Sequence, residues 1–94
     1  MKDLQERIKV WHRNKFHDAT LERIGLKLGE ESGEVQQAID RIIYAKSPVE
    51  SERWLTNLTD EIGDVVIVLL ALCAKGGIDF EETVRHRAEE VMNR

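Results

Sequence analysis

Ile24-Gly25-Leu26-Lys27-Leu28-Gly29-Glu30-Glu31-Ser32-Gly33-Glu34-Val35-Gln36-Gln37-Ala38-Ile39-Asp40-Arg41-Ile42 decides how this chain folds. Ile24, Leu28, Val35, Ala38 and Ile42 recur at helical spacing and draw one apolar stripe along an α-helix. Counted through position 31, the steps are 4, 3, 4, 3 and 4 residues. An apolar residue is therefore expected at 31, and the chain has Glu31. Glu34 lies one turn further on the adjoining edge of the same face, because residues three apart on a helix are neighbours.

The same irregularity recurs downstream. Leu55, Leu58, Ile62, Val65, Leu69 and Leu72 form a helical stripe. Beside it run Trp54, Asn57, Glu61, Asp64, Val68 and Ala71, with two acids on successive turns of a row that is apolar beyond them. A lone acid-x-x-acid pair on a helix reads as a solvated face. Two pairs that each displace apolar positions on neighbouring helices read as a site. Buried carboxylates without partners are costly and raise one another's pKa. Lys27 and Arg41 are the few bases near those faces. A hard divalent cation, Mg²⁺ or Mn²⁺, bound by oxygens from facing helices resolves the conflict. His12, His17 and His86 fall outside both pairs, which disfavours an iron site of the Glu-x-x-His kind.

The rest of the pattern predicts an all-α antiparallel bundle of about four helices in a single domain spanning residues 1–94. No run shows the alternation of a strand. A first helix is expected from Lys2 to about Lys15, with Leu4, Ile8 and Trp11 on one side, and a second from about Thr20 to Tyr44. Ser47-Pro48-Val49-Glu50 carries a capping Ser, Pro at the first helical position and Glu three residues after the cap. The long helix it opens should end at Gly76-Gly77, with room for a break near Thr56. Asp79-Phe80-Glu81-Glu82 opens the last helix, to about Met92. Short connections make the second and third helices antiparallel neighbours.

Composition narrows the function. The 94 residues are 41% hydrophobic and 34% charged, with net charge −4. That balance disfavours a nucleic-acid polymer as partner, but a bound cation can reverse the local field for a phosphorylated small molecule. No apolar run approaches the ~20 residues that cross a bilayer. The start, Met1-Lys2-Asp3-Leu4-Gln5-Glu6-Arg7, lacks a signal-peptide core, so a cytoplasmic location is expected. The single Cys73 excludes an internal disulfide and reads as a small buried hydrophobe. So short a chain has a marginal core. Val65, Val66, Val68, Leu69, Leu70 and Leu72 also occupy nearly every angle around the third helix. The bundle is therefore expected to be completed by homo-oligomerisation, as a homodimer or dimer of dimers.

Glu30-Glu31-Ser32-Gly33-Glu34, followed after 26 residues by Glu61-Ile62-Gly63-Asp64, resembles the EExxE…ExxD signature of the MazG-like all-α nucleoside triphosphate pyrophosphohydrolases. The flanking Leu28-Gly29, Val35, Asp60 and Val65-Val66, and the turn Gly77-Ile78-Asp79-Phe80-Glu81-Glu82, are similar as well. The resemblance implies Mg²⁺-dependent cleavage of a (deoxy)nucleoside triphosphate to monophosphate and pyrophosphate, with nucleotide-pool house-cleaning as one role. It implies metal ligands at Glu31, Glu34, Glu61 and Asp64, with Glu30 orienting water or holding a second ion. It places Arg87 and Arg94 where relatives carry phosphate-binding bases, while Val91 stands where many of them have Asn. Lys27 reads as either a phosphate contact or an internal salt bridge. Trp11, and less so Trp54, reads as either a base-stacking ring or core.

Lys27-Leu28-Gly29-Glu30-Glu31 is also similar to phosphoribosyl-ATP pyrophosphohydrolase. That family, however, usually has Ala before the motif Asp and Tyr-His after it, where this chain has Gly63 and Val66 to Val68. A non-catalytic helical interaction protein with surface carboxylates is the rival from another class, and Mg²⁺-dependent stabilisation separates the two.

Overall fold

A computed structural model describes residues 1–17 and 19–94, and among these the secondary structure is four helices with no strand. They are α1 (Lys2–Lys15), α2 (Leu21–Ile43), α3 (Pro48–Gly76) and α4 (Phe80–Met92). The helix boundaries follow from local chemistry. The Thr20, Ser47 and Asp79 side chains accept hydrogen bonds from the backbone N–H of Arg23, Glu50 and Glu82, capping α2, α3 and α4. Pro48 fills the first turn of α3, where its missing N–H costs nothing. Gly77 ends α3 in the left-handed region at φ 69°, a conformation that a Cβ would strain.

The break that Thr56 allows does not occur, and α3 is continuous over 29 residues. The Thr56 and Thr59 hydroxyls donate to the carbonyls of Glu52 and Leu55 (3.2 and 3.1 Å). Each β-branched side chain is thus satisfied within the helix.

The fold is centred on the α2–α3 pair. Arg41 stacks on Trp54, Glu34 meets Glu61, and Ile24 lines the same cleft as Ala71. Residue numbers rise along one helix as they fall along the other, so the two are antiparallel. The stripe read on α2 is its inward face. Ile24, Glu31 and Ala38 are buried, and Leu28, Val35 and Ile42 are half-buried. α1 packs on α3, and Gln5 ties it to the α3–α4 turn. The Gln5 amide nitrogen donates to the Ile78 carbonyl (2.7 Å) and its oxygen accepts from the Phe80 N–H (2.9 Å).

On α3, the row containing Glu61 and Asp64 faces α2. In the neighbouring apolar row Leu58, Val65, Leu69 and Leu72 are half-buried, while Leu55 and Ile62 are left 54% and 50% exposed. The Cα radius of gyration is 15.8 Å, against about 12 Å for a compact chain of this length. No described helix is long and apolar enough to cross a membrane.

Candidate metal centre and adjoining cleft

The antiparallel register brings the two acid-x-x-acid pairs together. One carboxylate oxygen from each of Glu31, Glu34, Glu61 and Asp64 lies within 4.8 Å of the others. Glu31 is buried, Glu34 and Glu61 are half-buried, and Asp64 is exposed at the open side. Lys27, one turn before Glu31, lies 3.1 Å from Glu31 Oε1 and 3.6 Å from Glu30 Oε1. Asn57 donates to Glu61 Oε1 at 3.5 Å. The remaining oxygens, Glu31 Oε2 and Glu61 Oε2, are buried with no hydrogen-bond partner.

The crowding shifts the ionisation of two of these acids, Glu34 and Asp64. Close approach to the Glu61 carboxylate, then the Glu31 charge and burial, push the Glu34 carboxyl up to about 7. Burial, followed by the charges of Glu31, Glu61 and Asp60, also raises Asp64, with Lys27 opposing. Lys27 is held above its ordinary value by its hydrogen bond to Glu31 and the charge of Glu30. One lysine cannot neutralise the group. The donor set is all oxygen, and two of those oxygens are buried acceptors without donors. This arrangement fits a hard divalent cation.

A cleft of about 650 Å³ opens from this cluster toward the C-terminal end of α1. Its floor is Ile24, Ile67, Val68 and Ala71, and Glu31 and Asp64 stand at one end. Trp11 and Phe16 line it in an edge-to-face pair, centroids 6.0 Å apart at 83°. Lys15 Nζ lies 5.5 Å from the Trp11 centroid and 5.6 Å from that of Phe16. His12 packs 5.1 Å from Phe16, and burial, then the Lys75 charge, lowers its pKa, favouring the neutral ring.

The structure therefore places Lys27, Glu31, Asp64 and Trp11 along one cleft, with Glu34 and Glu61 joining Glu31 and Asp64 in the cluster at its end. Glu30 sits beside Lys27, exposed. Arg87 and Arg94 are not brought there within one chain. Arg87 is exposed and pairs with Glu90 at 3.8 Å, and Arg94 is exposed beyond the end of α4. Trp54 lies outside the cleft, flanked by the guanidiniums of Arg41 (4.4 Å) and Arg53 (5.2 Å). Sequence reasoning missed Lys15 and Arg23, which line the cleft. For Arg23 a signal existed, since Arg23, Lys27 and Glu31 follow one another at four-residue steps.

A family model described as the MazG nucleotide pyrophosphohydrolase domain matches residues 19–94. The match takes in α2, α3, α4 and all four clustered carboxylates, and leaves α1 with Trp11 and Lys15 outside it. Comparisons with curated proteins and with solved structures give no match. With the larger part of its length matched and both halves of the acidic motif converging on one cluster, the chain belongs to the MazG nucleotide pyrophosphohydrolase family.

Proposed function

We propose that this protein is a Mg²⁺-dependent nucleoside triphosphate pyrophosphohydrolase, with Mn²⁺ as a substitute ion, acting in cytoplasmic nucleotide-pool house-cleaning. The observation that carries the reading is the four-carboxylate cluster with two partnerless buried oxygens, set at the end of an apolar cleft. Glu31, Glu34, Glu61 and Asp64 would hold the ion. When bound, such an ion neutralises phosphate oxygens and makes a water more acidic.

The chain's own residues do the rest. Lys27 fixes Glu31 and places a positive charge at the cleft's carboxylate end. Glu30, exposed on the same turn, orients water or holds a second ion. Asn57 orients Glu61. The apolar floor and Trp11 suit the nucleoside rather than the polyanionic tail, because charge on an apolar surface loses hydration without compensation. The β- and γ-phosphates then extend away from the cleft. Arg87 and Arg94 would contact them from a second copy, in a homodimer or dimer of dimers.

The test is product analysis on canonical-size screens of ordinary and modified nucleoside triphosphates with Mg²⁺ present and absent. Monophosphate plus pyrophosphate, formed only with the metal, is expected. Diphosphate plus orthophosphate would remove the proposed reaction.

A further inference from the structure

We infer that Lys15 and Arg23 read the nucleobase, so that the cleft favours bases presenting a carbonyl oxygen over counterparts presenting an amino group there. This rests on the nucleotide reading proposed above and adds a substrate preference to it.

The reacting phosphate must lie at the carboxylate end. Arg23 is eight residues before Glu31 on α2, about 12 Å along the helix axis at 1.5 Å per residue. A nucleoside spans that distance along the apolar floor. At the far end the cleft narrows chemically. Among the described residues lining it, the ionic side chains other than Glu31 and Asp64 are Lys15, Arg23 and Lys27, with histidines beside them. Lys27 is committed to Glu30 and Glu31. Lys15 is held against the Trp11 and Phe16 rings, where a stacked base would come to lie. The Arg23 guanidinium has no ion-pair partner among the described residues, only its backbone N–H being used, by Thr20.

Lysine and arginine side chains donate and cannot accept. Uracil and hypoxanthine present a carbonyl oxygen where cytosine and adenine present an amino group. A carbonyl satisfies these donors. An amino group sets N–H against these cations and gains no hydrogen bond from them, the kind of difference by which a site discriminates between such bases.

Calorimetry of the full chain with dUMP against dCMP, and dIMP against dAMP, tests this without turnover. The oxo member of each pair should bind at least about tenfold tighter, the worth of one charge-assisted hydrogen bond. Arg23→Met and Lys15→Met should cut that ratio to about threefold or less by weakening the oxo member, while Arg23→Lys retains part of it. Equal affinities, an amino preference, no detectable binding, or variants that weaken both members equally would each overturn the inference. Cleavage is measured separately. An intact oxo preference without α–β cleavage sinks only the enzymatic reading. Cleavage of all four triphosphates with equal kcat/KM sinks only the base preference.

Discussion

Lys27 Nζ lies 3.1 Å from Glu31 Oε1, while the other oxygen of that carboxylate is buried without a partner. The lysine therefore satisfies one oxygen of the most buried acid among the described residues and leaves the other without a donor. It is a structural ion pair at the edge of the site, and it holds the Glu31 side chain in place beside the cluster.

Removing that lysine should expose the imbalance. Lys27→Met leaves Glu31 among Glu34, Glu61 and Asp64 with no neighbouring cation. In EDTA the variant should melt several degrees below the parent. Saturating Mg²⁺ should restore most of the difference, because the ion supplies the missing charge. Differential scanning fluorimetry with and without metal checks it. A loss that Mg²⁺ leaves untouched would place the role of Lys27 elsewhere.

Glu34→Gln and Asp64→Asn keep the side-chain shape and remove one ligand charge. Mg²⁺ affinity should fall about 10–100-fold, the usual cost of disturbing a metal site. The metal-free fold should be unharmed or more stable, since one source of carboxylate repulsion is gone. Titration calorimetry and melting curves report the two effects separately. Parental Mg²⁺ affinity in both variants would refute the ligand assignment.

The α2 stripe was legible because a helix buried against one partner shows its contact face as a 3.6-residue period, and Glu31 stood out as a break in it. The caps at Thr20, Ser47 and Asp79 were legible for the same local reason. Arg23 and Lys15 were not recognised. Both line the cleft from different helices, and although Arg23, Lys27 and Glu31 share four-residue steps, no periodicity brings Lys15 of α1 to the same cleft. Leu55 and Ile62 belong to a stripe of helical spacing, yet one chain leaves both half exposed. A periodic apolar pattern marks a face suited to burial and does not say which chain would bury it. Arg87 and Arg94 came from family likeness alone, and a single chain keeps them away from the cluster.

The raised carboxyls predict how the metal-free protein responds to pH. Glu34 moves from an ordinary 4.5 to about 7 on folding, so between those values the native state holds more protons than the unfolded chain. Stability from this group is fully present below pH 4.5 and is lost as pH rises through about 7. Asp64 is shifted in the same direction. The melting temperature in EDTA should therefore decline across this window, and Glu34→Gln should flatten the decline. Mg²⁺ binding near pH 6 should release protons, because metal and proton compete for the same oxygens. Calorimetry in buffers of different ionisation enthalpy counts them. An EDTA-treated parent whose stability climbs steadily from pH 4.5 to 7 would contradict the arrangement.

The exposed apolar residues of α3 predict self-assembly. Leu55 and Ile62 lie two turns apart on one stripe, 54% and 50% exposed, and α2 adds Ile39 and Ile43 at 42% and 64%. Burying a Leu or Ile side chain fully is worth about 1.5–3 kcal/mol, and two-fold symmetry counts each residue twice. The extended 15.8 Å radius of gyration leaves room for a second copy to lie along the helix pair. Sedimentation at micromolar concentration should show at least twice the 10.9 kDa chain mass, with a melting temperature that rises with protein concentration. Ile62→Glu places a charge in that interface and should yield monomers of lower stability, and Leu55→Ser should weaken association with less disruption. If Arg87 and Arg94 act from the partner, both variants should also lose pyrophosphate release in proportion to the dimer lost. A folded, active species that sediments at 10.9 kDa would eliminate both the interface and the shared site.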